Sequence, residues 1–114
     1  IRFADVLLMA AEAFNRSAVP NDVKAQEYLN RVRTRAFGNT ANNITTTGDN
    51  LYNNILDERR IELVGEGHRF FDLVRTGRAA QAINGFVTGK HEVFPIPEIE
   101  IQLAGNRWPQ NPNY

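Results

Sequence analysis

Apolar residues recur at helical spacing through most of this chain. Residues 1–15 contain Ala, Leu and Met but no Gly or Pro, and this composition predicts a helix. The apolar positions of this helix cover more than one stripe of its surface, so we expect it to be buried on most sides. A short connector with Pro20 follows, and either Asn21 or Asp22 is placed to cap the next helix.

The second predicted helix, residues 23–36, is amphipathic. Because the connector before it is short, we expect the two helices to pack antiparallel, as in one tetratricopeptide-like unit. The sequence contains one visible copy of this helix pair. The expected inward positions of the second helix are Val23, Tyr28, Leu29 and Val32, and its expected outward positions are Lys24, Arg31 and Arg35.

The rest of the chain predicts shorter helices separated by loops. Residues 38–50 form a polar loop with nothing to bury, and a third helix starts at Asp49 or Asn50 and ends near Val64. A break is expected just after it, because two glycines follow at positions 65 and 67 and each costs roughly 1 kcal/mol inside a helix. A short helix is predicted at 69–75, a further turn at 78–83 and a loop at 84–94. A helical turn follows within 95–105, with Pro97 in its first turn, and residues 106–114 form an irregular tail.

No segment alternates long enough to require a strand, so the predicted fold class is all-α: a tetratricopeptide-like helix pair, further helices and an irregular tail. The chain of 114 residues suits one domain or part of one. It begins without methionine and already inside a helical pattern, so we expect residues 1–114 to be a portion of a longer protein.

Composition restricts the classes of function. The chain has thirteen basic residues, thirteen acidic residues and no cysteine, so disulfides and thiolate metal sites are excluded. Charges of one sign do not cluster, and we expect neither a nucleic-acid partner nor a polybasic membrane surface. The longest apolar run, residues 6–11, is far shorter than the ~20 residues that span a bilayer.

The most highly charged stretch, residues 55–77, contains three acids at four-residue spacing. Stacking carboxylates on one helical face is unfavourable unless cations lie beside them. Arginines three residues away provide such cations, and one guanidinium can bridge two carboxylates. We therefore predict a structural charge network that fixes how helices join, and expect Glu66→Ala to destabilise the fold by leaving a buried arginine without its partner. The predicted members of the network are Glu58, Arg59, Glu62, Glu66, Arg69, Asp72 and Arg75.

A catalytic or metal-binding role for these acids has less support. Glycosidases use two carboxylates roughly 5–9 Å apart in a cleft, but this helix also has Ile55, Leu56 and Ile61 to bury. The sequence has no His-Glu-x-x-His motif, and Gly65 stands where a Glu-x-x-His motif ending at His68 needs its glutamate. We assign no catalytic residue, no metal ligand and no cofactor.

Five segments, in this order along the chain, together resemble the SusD/RagB-like outer-membrane lipoproteins. Asp5, Thr76 and Asn113 depart from the residues usual at the matched positions, which are Glu, an aromatic residue and Gly. The resemblance extends over nearly the whole chain and implies that it is the C-terminal portion of a longer protein. The segments are IRFADVLLMAAEA, YLNRVRTRA, ERRIELVGEGHRFFDLVRTG, FPIPEIE and QNPNY.

The resemblance implies a non-catalytic protein built on tetratricopeptide-like helix pairs. Members of the family are held at the cell surface by an N-terminal lipid, which we expect to lie outside residues 1–114. They cap a SusC-like TonB-dependent transporter and capture oligosaccharides or other nutrients for import. Sugar sites need aromatic platforms beside polar groups, but the matched motifs carry no binding residue over to this chain, and we expect Trp108 to pack the tail.

Two other functions stay open at this point. A tetratricopeptide-like scaffold would bind protein, and further helix pairs without aromatic clusters would favour it. A glycoside hydrolase would need a cleft that holds an acid of raised pKa. If the chain is a portion of a longer protein, helices outside it should cover apolar residues of the first helix that the second helix cannot reach, among them Phe3, Val6, Ala10 and Ala13.

Overall fold

A computed structural model describes residues 2–114, and Ile1, the first residue of the first predicted helix, lies outside that range. No strand occurs among the described residues, so the predicted all-α class is confirmed. The chain divides into two compact units, one ending at Arg69 and the other spanning Phe70–Tyr114. The helices are α1 (Phe3–Arg16), α2 (Asp22–Phe37), α3 (Gly48–Glu62), α4 (His68–Arg75), α5 (Ala79–Ala82) and α6 (Glu98–Leu103).

In the first unit, α1 packs antiparallel to α2, as expected from their short connector. Asn15 near the end of α1 donates a hydrogen bond of 2.8 Å to Asp22 at the start of α2. At the other end, the guanidinium carbon of Arg31 lies 5.6 Å from the ring centre of Phe3. The cap that initiates α2 is Asn21, whose side chain accepts from the backbone N–H of Lys24.

The core of the first unit lies between α1, α2 and α3. Leu29 and Val32 are buried in α2, as predicted, but Val23 is 76% exposed and its predicted inward position is wrong. Ala25 is buried instead, because it lies four residues before Leu29 and seven before Val32 and so shares their face of the helix. Val23 lies roughly 200° around the helix from Ala25. The buried core residues are Leu7, Leu8, Ala11, Ala25, Leu29, Val32, Leu51 and Ile55.

Within this chain α1 is buried on one face, and apolar residues that we expected helices outside the chain to cover are exposed. Its buried residues include Leu7, Leu8 and Ala11, which lie on one face, whereas Phe3 and Val6 are 65% and 43% exposed. Phe3 and Val6 are exposed because α2 and α3 cover one side of α1 only.

No helix in the described part of the chain is both long enough and apolar enough to cross a membrane.

The loop between α2 and α3 follows the surface of α2 and is not free of buried groups, which corrects the prediction for residues 38–50. Ile44 packs against the core. The side-chain amide of Asn30 donates to the carbonyl of Ile44 at 2.8 Å and accepts from its N–H at 2.7 Å. Gln26 donates to the carbonyl of Thr46 at 2.8 Å. Side chains of α2 thus hold the loop that leads to α3.

Helix α3 ends at Glu62, two residues before the predicted end at Val64. The break falls where two glycines were expected to cause it, and Gly65 and Gly67 have φ angles of +80° and +79°. Backbone in this left-handed region cannot continue a right-handed helix, and glycine adopts it without a steric cost.

The second unit contains short helices and long irregular segments, as predicted. Pro97 immediately precedes α6 and does not lie in its first turn. Three phenylalanine rings come together, with the centre of Phe70 lying 6.4 Å from the centres of both Phe86 and Phe94. Among the described residues of this unit, the buried apolar side chains are Leu73, Ala79 and Ile101.

A pair of truncations in α2 tests the core assignment. Leu29→Ala removes a fully buried side chain and should lower the free energy of unfolding by about 2–5 kcal/mol. Val23→Ala, at an exposed position of the same helix, should change it by less than about 0.5 kcal/mol. Urea unfolding followed by circular dichroism measures both, and equal losses would contradict the inward position of Leu29.

Candidate functional site

The charged side chains of the first unit form ion pairs between helices. The most buried pair joins α1 to α3, where Arg59 Nη1 donates to Asp5 Oδ1 at 2.9 Å and each side chain is 5% exposed. Removing two charges from water is costly, and only close contact with good hydrogen bonding offsets that cost. This pair therefore restricts how α1 can be placed on α3.

A second pair joins α2 to α3. Arg33 Nη1 donates to Oε2 of Glu58, which is itself buried. The Nε of the same guanidinium donates to the carbonyl of Asn42 at 2.7 Å. One arginine thus holds a carboxylate of α3 and the loop that precedes it.

Glu62, the last residue of α3, receives two arginines. Its Oε1 accepts from Arg2 Nη1 at 2.8 Å and from Arg35 Nη2 at 2.6 Å. Arg2 Nη2 also donates to the main-chain carbonyl of Glu62 at 2.6 Å. That carbonyl belongs to the last turn of the helix, where carbonyl groups have no partner within the helix and a cation is favourable.

Glu66 lies in the turn between the two glycines and is not on the face of α3. Its Oε1 accepts from Arg2 Nε at 2.8 Å. This hydrogen bond stabilises the charged carboxylate and lowers the pKa of Glu66 below its usual value. Because the Arg2 side chain is 41% exposed, Glu66→Ala does not leave a deeply buried arginine without its partner. The substitution expected to destabilise the fold strongly is Asp5→Ala, since Asp5 pairs with the buried Arg59.

The remaining predicted members of the network lie at the end of the first unit and in the second. Asp72 accepts from Arg75 Nε at 2.9 Å, three residues later in α4, which matches the predicted spacing. Arg69 is exposed. Glu62 and Glu66 pair with arginines distant in sequence and not with Arg59 and Arg69, the neighbours that helical spacing suggested.

Sequence reasoning missed four members of these pairs, Asp5, Arg2, Arg33 and Arg35. The detectable signal was Asp5, an acid that interrupts the apolar stretch of α1 and is followed three residues later by Leu8. Such spacing puts an acid on the buried face of a helix, and a buried acid needs a cation. The sequence does not reveal which arginine supplies it.

Two grooves lie on the surface of the first unit. One, of about 520 Å³, runs along α2 and is lined by Glu27, Asn30, Arg31, Thr34, Arg35 and Asn43, none of which is aromatic. The other, of about 270 Å³, lies between α1 and α2 and is lined by Arg2, Phe3, Ala4, Leu7, Val32 and Arg35. No group of three or more His, Cys, Asp or Glu side chains that could hold a metal ion occurs among the described residues.

The arrangement joins helices through charge-assisted hydrogen bonds. Each carboxylate of the acidic row, which consists of Glu58, Glu62 and Glu66, accepts from at least one arginine. A general acid in a glycosidase has to keep its proton near neutral pH, which requires a raised pKa. For Glu66 the arginine acts in the opposite direction and lowers the pKa.

Comparison with known proteins decides the family. The model of the SusD family matches residues 1–93, well over half of the chain. This chain belongs to the SusD family. The resemblance inferred from the five motifs is thereby confirmed.

Curated SusD-like proteins from Formosa agariphila support the same assignment. The chain is 34% identical to SusD-like protein P2 over 128 aligned residues, which cover the whole chain and 25% of P2. It is 37% identical to SusD-like protein P38 over 83% of the chain and 20% of P38, and 36% identical to SusD-like protein P25 over 90% of the chain and 21% of P25. The chain spans a fifth to a quarter of the length of these relatives.

The buried pair provides a stability test. Asp5→Ala should lower the free energy of unfolding by roughly 3 kcal/mol, because Arg59 stays buried without that carboxylate. Asp57→Ala is the matched control, since Asp57 is 65% exposed and lies 3.7 Å from Arg60, and should cost less than about 0.5 kcal/mol. Urea unfolding measures both variants. An Asp5→Ala loss no larger than that of Asp57→Ala would show that the pair adds nothing to stability.

The Arg2–Glu66 contact provides a pH test. The folded-state pKa of Glu66 is lowered, so the contact stabilises the fold above the unfolded-state pKa, and this contribution is lost as the pH falls through the folded-state pKa. Carboxyl NMR titration should therefore give Glu66 a midpoint below the ordinary glutamate value of about 4.3. Arg2→Ala should move that midpoint up, whereas Arg16→Ala, which removes the partner of Asp49, should not. An unchanged midpoint in Arg2→Ala would contradict the contact in solution.

Proposed function

We propose that this chain is part of a non-catalytic cell-surface protein that binds a nutrient, most simply a glycan, and delivers it to a SusC-like TonB-dependent transporter. The observation that carries the proposal is membership of the SusD family. SusD-like proteins are in general outer-membrane proteins that bind nutrients or glycans and do not catalyse reactions. An N-terminal lipid would hold the whole protein at the outer membrane.

The chemistry of the acidic row supports a structural role within such a protein. Glu58 and Glu62 accept hydrogen bonds from arginines on other helices, so both carboxylates contribute to joining the helices. A retaining or inverting glycosidase needs a pair of carboxylates open to the sugar, one of them protonated. The first unit uses its carboxylates for packing, which is the use expected in a binding protein.

The ligand-binding groups of the whole protein are expected mainly outside this chain. Sugar recognition combines an open aromatic face with polar groups that converge on the hydroxyls. The groove along α2 has polar groups without an aromatic ring. Several of those polar groups are also bonded within the fold, as Asn30 is to Ile44 and Thr34 is to Asn43. We therefore assign no residue of this chain to ligand binding.

Glycan binding without cleavage is the expected behaviour of the intact protein. Calorimetric titration against a panel of oligosaccharides should detect saturable binding to at least one of them. Incubation with the same panel should release no new reducing ends, because SusD-like proteins are in general non-catalytic binding proteins. Turnover at enzymatic rates would overturn the non-catalytic assignment.

A paired variant separates this protein from a contaminating hydrolase. Glu58→Gln and Glu62→Gln, combined in the intact protein, should lower its stability, since both side chains bond to arginines of the scaffold. At a temperature where circular dichroism shows the variant to be folded, its glycan affinity should be unchanged within about twofold. Products that form with the wild type and disappear with the variant would identify these acids as catalytic. Products that persist unchanged would point to a contaminant.

A further inference from the structure

The tail of the second unit bonds to the main chain of the segment that precedes α6. Gln110 makes two such bonds to one residue: its Oε1 accepts from the N–H of Ile96 at 2.8 Å, and its Nε2 donates to the carbonyl of Ile96 at 2.8 Å. A side-chain amide thus satisfies both main-chain groups of Ile96, in the manner of a neighbouring strand.

Three more side chains of the tail bond to carbonyls of the same segment. Asn111 Nδ2 donates to Phe94 at 2.6 Å, and Asn113 Nδ2 donates to Gly89 at 2.9 Å. The hydroxyl of Tyr114 donates to Val93 at 3.0 Å. All of these acceptors lie in residues 89–96, which form neither helix nor strand.

Apart from the tail, the segment is held by short-range bonds within itself: His91 Nδ1 accepts from the N–H of Val87 at 2.9 Å, and the Glu92 carboxylate accepts from the N–H of Gly89 at 2.8 Å. Val93 and Phe94 are 43% and 75% exposed, so apolar burial contributes little there. Its internal hydrogen bonds are those of short turns, such as Lys90 N–H to Val87 at 3.2 Å and His91 N–H to Val87 at 3.0 Å. Isolated turns of this kind are marginally stable in water.

The backbone of the tail also indicates a specific role. Asn113 has a φ of +67°, in the left-handed region that disfavours residues with a side chain. Asparagine tolerates this region better than most residues, but glycine would tolerate it at no cost. The Asn113 side chain compensates by bonding to Gly89, which lies 24 residues earlier in the chain.

We propose that residues 110–114 act as a strap that holds residues 87–96 in their folded conformation. Release of the strap would loosen the whole segment, including the turn from Val87 to Lys90, where Asn113 bonds to Gly89 and Lys90 Nζ lies 4.7 Å from the ring centre of Tyr114. It would also free Phe94, whose ring lies against Phe70 in the aromatic cluster of this unit.

Amide hydrogen exchange in the intact protein tests the strap. Gln110→Ala should speed exchange at the amides of Lys90, His91 and Val93 by on the order of tenfold, because the two bonds to Ile96 and the bond from the Asn111 N–H are lost. These amides bond within the segment and not to the tail, so a purely local loss of the Gln110 contacts would affect the amides of Ile96 and Asn111 only. Gln102→Ala is the matched control, since Gln102 is exposed and bonds to Glu98 on its own helix.

A milder variant keeps the test decisive if Gln110→Ala unfolds the second unit. Asn113→Gly removes the bond to Gly89 while keeping the left-handed backbone, and Tyr114→Phe removes one hydroxyl. Both should raise exchange across residues 87–96 by severalfold and leave α1, α2 and α3 protected. Unchanged exchange at Lys90 and His91 in all three variants would overturn the strap, and so would an equal rise in the first unit, which would show general destabilisation.

Discussion

The packing of the first unit depends on the buried ion pair of Asp5 and Arg59. Two charges that are each 5% exposed have lost most of their hydration, a cost of several kcal/mol per ion that close contact has to offset. A rotation of α1 by one residue would turn the carboxylate away from the guanidinium and leave both charges buried apart. The rotation that joins them also directs Leu7, Leu8 and Ala11 into the core. We infer that the pair fixes the rotation of α1 on α3, while the apolar residues supply most of the stability.

The other arginine pairs extend the same constraint toward the end of α3. Arg2 bonds to the Glu62 side chain, the Glu62 carbonyl and Glu66, so it holds both the end of the helix and the glycine turn that follows. Arg35 reaches the same carboxylate from α2. Glu58 and Glu62 therefore join α3 to α2, whereas Glu62 and Glu66 bind Arg2 at the start of α1. The regular spacing of these acids in the sequence does not correspond to a single surface.

Helical periodicity predicted the order and nearly all the bounds of the helices, since a helix depends mainly on residues within one or two turns. The predicted break near Gly65 followed from the same local reasoning. Pairing partners could not be predicted in this way. Glu62 has an arginine three residues before it, yet it bonds to Arg2 and Arg35, which are 60 and 27 residues distant. Those partners are chosen by packing, and packing also explains why Val23 at the edge of α2 is exposed.

The two units are stabilised by different interactions. The first has enough apolar helix surface for a core, so its polar contacts select one arrangement of helices that burial already favours. The second has three buried apolar side chains among its described residues, and side-chain amides take over the role of satisfying main-chain groups. This difference explains how QNPNY, a segment without helical periodicity, adopts a defined conformation: its side chains bond to Ile96, Phe94, Gly89 and Val93. An apolar core residue can be replaced by another of similar size and still fill the core. The paired donor and acceptor of Gln110 belong to a side-chain amide, and asparagine, which has the same group, is one methylene shorter. The identity of each bonding residue therefore matters in the tail, as it does for Asp5 and Arg59 in the first unit, whereas the apolar core positions depend on size and polarity.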